Sequence, residues 1–312
     1  MRMSQPSVLA CPASLKSVLP ARQAAAALVE GFSLAGVACL PLPLADGGEG
    51  TLDALCPEVW QVAVHDAFGR SRTARVGRRG TAVVVEAADV IPFDPLRLDA
   101  LGASSRGLGE LLAGIEAERL LVGLGGTATM DAGAGLLEVL HSLPAPTTVL
   151  CDVRTTLYEA PRLFGPQKGA TAAQVAELEA RFRALAGLAP YAELPGSGAA
   201  GGLGAALASL GAELVPAAAR VLELVAFDPR GHALVVTGEG RVDATTAEGK
   251  VAAEVARRCA GAGVPCVVFG GVVERPLPAV ETASLSGDPT RARDDLVELG
   301  LRLGTRLLDT TG

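Results

Sequence analysis

Acidic residues set among glycines recur along the chain, and this combination of residue types suits phosphoryl transfer. Glycine lets the backbone come close to a ligand and point its N–H groups at an anion. A carboxylate there would repel phosphate on its own, but it can bind a bridging Mg²⁺ or accept a proton from a substrate hydroxyl. The five glycine-rich segments are residues 46–51, 123–131, 164–171, 196–204 and 237–243.

The chain has only three lysines, and their positions add to this chemistry. Lys16 follows the first apolar run, Lys168 lies in Gly-Pro-Gln-Lys-Gly, and Lys250 follows a glycine before a helical pattern. An ammonium group at a loop or helix entry can serve as a point charge for an anion. The alternative is that all three are ordinary solvated lysines. Likewise, Asp131 and Asp243 could cap helices instead of acting on a ligand.

Other chemistries are poorly supported by the sequence. A P-loop motif is absent, and the G-x-G-x-x-G string at 196–201 follows Glu-Leu-Pro where a core strand should run. His65, His141 and His232 are far apart, which disfavours a histidine metal site. The net charge is −7, with no basic run, so nucleic acid is not an expected partner.

The elements that must position these loops alternate between short apolar runs and helical patterns, which predicts an α/β fold. Strands are predicted at 7–11, 37–42, 119–124, 147–151, 233–237 and 264–269. Helices are predicted at 21–32, 108–117, 171–188 and 252–260. Residues 61–86 break this rhythm with three strand-like runs and tight turns, including one at 77–80, and predict an antiparallel piece.

The length of 312 residues favours two domains. We predict a flavodoxin-like or Rossmann-like parallel-sheet domain from residues 1–60 and 230–312, with a second α/β domain, 61–229, inserted into it. No stretch predicts a membrane span or a secretory signal. Six cysteines without C-x-x-C spacing favour a reducing compartment, so a cytoplasmic protein is expected.

Taken together, the loops resemble the type-1 glycerate kinase family. The resemblance is carried by residues 44–51, 164–171, 198–204 and 237–243, which look like the family's signature stretches nearly letter for letter. Pro12, Ser14, Lys16, Glu86 and the Cys151-Asp152-Val153 run also match. The motifs keep the family's order from about residue 7 to about residue 272.

The resemblance implies ATP- and Mg²⁺-dependent phosphorylation of D-glycerate to a phosphoglycerate. On this hypothesis the catalytic residues come from Asp46, Asp131, Asp152 and Lys16, with Asp46 and Asp131 as metal ligands. Phosphate or substrate would be bound by Ser14, Gly47, Gly48, Glu49, Gly125, Gly126, Thr127, Lys168, Gly201, Gly202, Gly238, Glu239, Arg241, Asp243 and Lys250. Arg241 is the expected partner of the glycerate carboxylate. The oligomeric state stays open, with a homodimer as one alternative.

Several positions depart from the family pattern. They are Ala13 for Asp, Ser17-Val18 for Gly-Ser, Met130 for Asn, Thr155-Thr156 for Asn-Pro, and Glu248 for His. The segment between Leu140 and Thr147 is also shorter than usual. These changes leave two alternatives open: a kinase for another small hydroxy acid, and a protein that binds nucleotide or acid without catalysis.

Overall fold

The structure is a computed structural model that describes residues 7–16, 18–244, 246 and 249–310. Ser17 and Glu248, two of the departures noted above, lie outside the described residues. The chain forms two compact units, which we call unit 1 (Met1–Ala45 with Val221–Gly312) and unit 2 (Asp46–Arg220). The domain boundaries at 60 and 230 that the sequence suggested stay a prediction.

Strands and helices alternate through most of the chain. The strands are β1 (Ser7–Ala10), β2 (Ala38–Pro41), β3 (Glu58–His65), β4 (Ser71–Arg79), β5 (Ala82–Glu86), β6 (Arg119–Gly123), β7 (Thr147–Cys151), β8 (Glu213–Pro216), β9 (Leu234–Val242), β10 (Cys266–Val273) and β11 (Glu281–Ser284). The helices are α1 (Ala21–Leu34), α2 (Thr51–Leu55), α3 (Ala87–Val90), α4 (Arg106–Ala113), α5 (Ala134–Leu137), α6 (Ala160–Phe164), α7 (Ala172–Ala184), α8 (Ala199–Ser209), α9 (Ala217–Leu224), α10 (Val251–Ala262) and α11 (Ala292–Asp309). None of the helices in the described part of the chain combines the length and apolar character needed to cross a membrane.

Unit 1 is built on a five-stranded, all-parallel sheet in the order β2-β1-β9-β10-β11. Numbered within the unit, this order is 2-1-3-4-5, which is the flavodoxin-like arrangement. The predicted fold class is therefore confirmed. Between β1 and β9 the strand order reverses direction, and open parallel sheets bind ligands beyond the carboxyl ends of the strands at such a point.

Unit 2 contains a six-stranded mixed sheet in which β3 to β8 lie in chain order. β3, β4 and β5 pair antiparallel, as the break in rhythm at 61–86 predicted. β5, β6, β7 and β8 are parallel, so their carboxyl ends share one edge of the sheet. The core on the sheet is formed by apolar side chains that include Val85, Leu108, Val122 and Leu203.

One local prediction was wrong. Gly77, predicted in a turn, lies inside β4, where a Cβ would come within 2.6 Å of Cys56 Sγ; the turn itself is at Gly80. The predicted glycine segment 196–204 leads into α8, with left-handed backbone at Ala200, Gly201 and Gly202; the helix is buried along nearly its whole length. A helix with no polar face gives no 3.6-residue hydrophobic period, so its pattern could not identify it.

In unit 1, α1 and α11 pack so closely that the contact requires glycine. A Cβ on Gly31 would overlap Val297 O, and a Cβ on Gly300 would lie 2.6 Å from Leu28 O. Small residues here let the two helix backbones approach each other. The contact joins a helix from each of the two chain segments that form unit 1.

We expect Gly31→Ala to lower the free energy of unfolding by about 1–3 kcal/mol, because the added methyl group would force the two helices apart. Gly261→Ala is the matched control: Gly261 lies in α10 and is exposed, and a Cβ at this position would have no neighbouring atom within 4 Å. That variant should be neutral or up to about 1 kcal/mol more stable. Urea unfolding of both variants makes the comparison, and equal stability of the two would contradict the close-packing argument.

Candidate functional site

Two glycine segments of unit 2 pack backbone to backbone where β6 ends. The amide of Gly125 donates a hydrogen bond to Gly47 O at 3.2 Å. A Cβ on Gly123 would overlap Gly47 O, and a Cβ on Gly125 would lie 2.8 Å from Gly48 Cα. Glycine is therefore required at positions 123 and 125, and the acidic segment 46–51 is held at the carboxyl edge of the sheet.

Two of the predicted carboxylates border this contact. Asp46, half-buried, accepts a hydrogen bond on Oδ1 from Gly48 N at 3.3 Å. Asp152 follows β7, and its Oδ2 would lie 3.0 Å from a Cβ on Gly125. Glu49, in contrast, is exposed on the outside of the turn. The structure thus brings Asp46 and Asp152 to the same pair of glycines.

Asp131 has a different environment, because four hydrogen bonds occupy its carboxylate. Oδ2 accepts from Ser105 N and Ser105 Oγ, both at 2.8 Å, and from Gly135 N at 3.2 Å. Oδ1 accepts from Gly133 N at 3.0 Å. These contacts fasten the loop after β6 to the start of α4. Sequence reasoning missed Ser105, which is 26 residues away and carries no motif of its own.

Lys168 is buried within unit 2 instead of standing at its surface. Its side chain is 5% exposed, and Nζ donates a hydrogen bond to Thr129 O at 2.8 Å. Burial lowers the pKa of Lys168 to about 8, while the nearby carboxylates of Asp152 and Asp131 act in the opposite direction. The ammonium group is thus placed among the acidic residues predicted to act with it.

The glycines at the start of α8 serve close packing. Gly201 and Gly202 have φ angles of +68° and +95°, which favour glycine. A Cβ on Gly201 would overlap Thr129 O, the same carbonyl that binds Lys168. The neighbouring loop also contains Gly126, with φ +77°, and Thr127, whose buried Oγ1 has no hydrogen-bond partner among the described residues.

In unit 1, the loop after β1 runs beside the end of β9, at the reversal of strand order. Ala13 N donates to Gly238 O at 2.8 Å, and a Cβ on Gly240 would lie 3.4 Å from Lys16 N. Ser14 is half-buried in this loop and Lys16 is exposed. A Cβ on Gly238 would overlap Phe269 O, so this glycine is required for strand packing. The structure brings the predicted residues of both segments together.

The remaining predicted cations of unit 1 face carboxylates. Lys250 Nζ lies 3.2 Å from Glu239 Oε2 and 4.0 Å from Asp243 Oδ1. Arg241 Nη1 donates to Glu274 Oε1 at 2.6 Å, and the Arg241 side chain is 61% exposed. Glu274 was not predicted. Its contact shows that a carboxylate can reach the Arg241 guanidinium.

The departures from the family pattern have local explanations. Met130 is 1% exposed and packs in a hydrophobic cluster with Leu157 and Phe182, so its side chain contributes to the core. Thr156 starts a short helical turn, in which its N and Oγ1 both donate to Glu159 Oε2. Ala13 is buried beside Gly238.

A flavodoxin-like unit joined to a second α/β unit, with acidic glycine loops at the carboxyl ends of parallel strands, is typical of enzymes that handle phosphorylated ligands. The model of the glycerate kinase family matches residues 8–143 and 141–287. The chain therefore belongs to the glycerate kinase family.

Individual relatives agree with this assignment. Glycerate kinase of Bacillus subtilis (strain 168) is 33% identical, over 88% of this chain and 87% of its own length. Glycerate 2-kinase of Escherichia coli (strain K12) is 32% identical, over 80% of this chain and 81% of its own. A crystal structure from Salmonella typhimurium LT2, provisionally named glycerate kinase 2, superposes with a TM-score of 0.81 at 28% identity, covering 99% of this chain and 100% of that chain.

The lowered pKa of Lys168 can be measured directly, because the chain has only three lysines. We expect one of three ¹³Cε-lysine NMR signals to titrate with a midpoint near pH 8, since burial disfavours the charged form. That signal should vanish in Lys168→Met, which assigns it. Since the folded pKa is below that of an unfolded lysine, Lys168 also makes the free energy of unfolding rise between about pH 8 and 10.5. A Lys168 midpoint above pH 10 would contradict the buried position.

Proposed function

We propose that the protein is an ATP- and Mg²⁺-dependent glycerate kinase, which transfers a phosphoryl group to a hydroxyl of D-glycerate and forms a phosphoglycerate. The observation that supports it most is the meeting of Asp46 and Asp152 at the Gly48–Gly125 contact. Carboxylates held at the carboxyl ends of parallel strands suit a reaction that depends on positioning and charge stabilisation.

Mg²⁺ binds through one or two carboxylates together with phosphate oxygens and water. Within the described residues, no three acidic, histidine or cysteine side chains come together as a metal-binding group. A pair formed by Asp46 and Asp152 still fits, because the phosphates of ATP would complete the coordination. When bound, Mg²⁺ would neutralise charge on the transferred phosphoryl group. Asp131 fits less well, because donors already occupy both of its oxygens.

We therefore assign Asp131 and Lys168 supporting roles in unit 2. Asp131 holds the loop after β6, and the ammonium of Lys168 offsets the negative charge of the carboxylates around it. Either Asp46 or Asp152 would accept the proton of the substrate hydroxyl. Gly126 and Thr127, later in the same loop, would supply backbone and hydroxyl donors, whereas the Gly125 amide already donates to Gly47 O.

In unit 1, the reversal of strand order is the place where a flavodoxin-like sheet binds its ligand. Ser14, Lys16 and Lys250 would supply donors and positive charge to an anion there. Arg241 would release the Glu274 carboxylate and bind the substrate carboxylate in its place. An exposed ion pair contributes at most about 1 kcal/mol, so this exchange costs little. We also infer a cytoplasmic location, because six cysteines without C-x-x-C spacing favour a reducing compartment.

The activity is tested by ADP release from ATP and Mg²⁺ with and without D-glycerate. We expect release only when glycerate is present, and a fall of about 100-fold in kcat for Asp46→Asn, because a positioned charge is lost. Asp99→Asn is the control: Asp99 is an exposed carboxylate of unit 2 whose oxygen accepts from Leu101 and Gly102 amides, which an asparagine can replace.

Other outcomes separate the alternatives. Turnover with a different small hydroxy acid, in preference to glycerate, would indicate a related kinase. ATP binding by calorimetry with no turnover on any acid would indicate a binding protein. Full activity of Asp46→Asn would remove Asp46 from the mechanism.

Recognition of the substrate carboxylate is tested by Arg241→Gln. We expect KM for glycerate to rise at least about tenfold while KM for ATP changes little. The reason is that the variant loses a hydrogen bond between charged groups, which contributes about 1.5–3 kcal/mol. Arg230→Gln is the matched control, since Arg230 is also an exposed unit 1 arginine paired with a carboxylate, that of Asp228. An unchanged KM for glycerate in Arg241→Gln would assign carboxylate binding to another residue.

A further inference from the structure

We propose that Glu86 is a positioning residue for the reaction: its buried carboxylate anchors the first turn of α2 and thereby holds Asp46 in place. The inference deepens the proposed function and rests on it only for its effect on turnover. The family resemblance includes Glu86 but gave it no role. One sequence signal pointed to it, an acid directly after the apolar run Val83-Val84-Val85.

The anchoring contact is short and shielded from solvent. Glu86 is the last residue of β5 and is 1% exposed. Its Oε1 accepts a hydrogen bond from Leu52 N at 2.5 Å. The first N–H groups of a helix lack partners within the helix, and the helix dipole favours a negative charge beside them. Glu86 therefore ties the start of α2 to the sheet.

A chain of hydrogen bonds continues from this anchor to Asp46. Next to Leu52, Thr51 donates through Oγ1 to Gly48 O at 2.7 Å, and its amide donates to the same oxygen at 3.2 Å. Gly48 N in turn donates to Asp46 Oδ1 at 3.3 Å. Displacement of Leu52 would be transmitted through this turn to the Asp46 carboxylate.

Glu86 pairs in register with Gly123 of the neighbouring strand, whose missing side chain admits Gly47. The anchor thus lies directly behind the glycine contact that brings the two acidic loops together. Loss of the anchor would affect both the Asp46 turn and the packing of that turn against the end of β6.

The anchor depends on protonation. Glu86 Oε2 is buried with no hydrogen-bond partner among the described residues, and burial raises the pKa of Glu86 to about 7. The charged groups facing it are Asp53 on α2, Arg75 on β4 and Asp89 on α3. Arg75 is itself bound to both aspartates, at 3.1 and 2.9 Å, so it relieves the Glu86 charge only in part. The raised pKa means that this buried site favours the neutral acid. The anchor is therefore strongest below pH 7, and it weakens as the pH rises through 7 and an incompletely compensated charge forms on the buried carboxylate.

The test compares Glu86→Gln, Glu86→Ala and the exposed control Glu58→Gln in two measurements. Amide hydrogen exchange of residues 46–55, corrected for the intrinsic pH effect, is followed by mass spectrometry at pH 6 and pH 8. The pH profile of kcat and KM with ATP and glycerate is measured between pH 5.5 and 8.5. Circular dichroism verifies that each variant is folded.

In the parent protein and in Glu58→Gln, we expect protection of residues 46–55 to be several-fold greater at pH 6 than at pH 8, with kcat falling over the same range, because the raised pKa makes opening of the turn easier as the acid ionises. Glu86→Gln mimics the neutral acid, so its protection should match the parent at pH 6 and show no pH dependence. Its kcat should lack the fall near pH 7. Glu86→Ala should be less protected at both pH values.

The proposal is overturned if protection in the parent does not change with pH, or if Glu86→Gln behaves like the parent at pH 8. Should Glu86→Ala fail to fold, the isosteric glutamine variant still decides the question. The exchange measurement needs no turnover. The predicted exchange pattern without glycerate-dependent ADP release would therefore refute the proposed function while leaving the anchor intact.

Discussion

Contact between glycine backbones is the constraint on which the acidic site of unit 2 depends. Gly47 and Gly48 meet Gly123 and Gly125 at distances that no side chain would permit. Because these glycines carry no side chains of their own, the functional groups must come from the residues that flank them. This is why Asp46 and Asp152, although 106 positions apart in the sequence, approach the same short stretch of main chain.

Such a gathering of carboxylates needs positive charge close by, and the chain supplies it with its few lysines. Lys168 is buried among Asp131, Asp152 and the Thr129 carbonyl, while Lys250 faces Glu239 and Asp243. Each lysine makes its acidic surroundings less repulsive to an anionic ligand. Each is also held by those acids, so neither has the freedom of a solvated side chain.

The sequence predicted the parts of the structure that leave a local signal. Apolar runs located β1, β6 and β7 within a residue or two, and the change of rhythm located the antiparallel strands. The sequence could not show that Ser105 donates hydrogen bonds to the Asp131 carboxylate, because that contact depends on the tertiary packing of α4. At Gly201 the structure shows a packing requirement, the close Thr129 carbonyl, while the predicted role of this glycine in anion binding stays a prediction. A glycine required by packing and one required by a ligand look the same in sequence.

The division of unit 1 between the two ends of the chain affects the order in which the protein can fold during synthesis. β1, α1 and β2 are translated before the rest of unit 1. Their partners, β9 beside β1 and α11 against α1, are translated only after residue 220. Unit 2 is continuous and is complete before either of them is made. The early segment therefore waits, with apolar surface exposed, while more than 170 residues are translated.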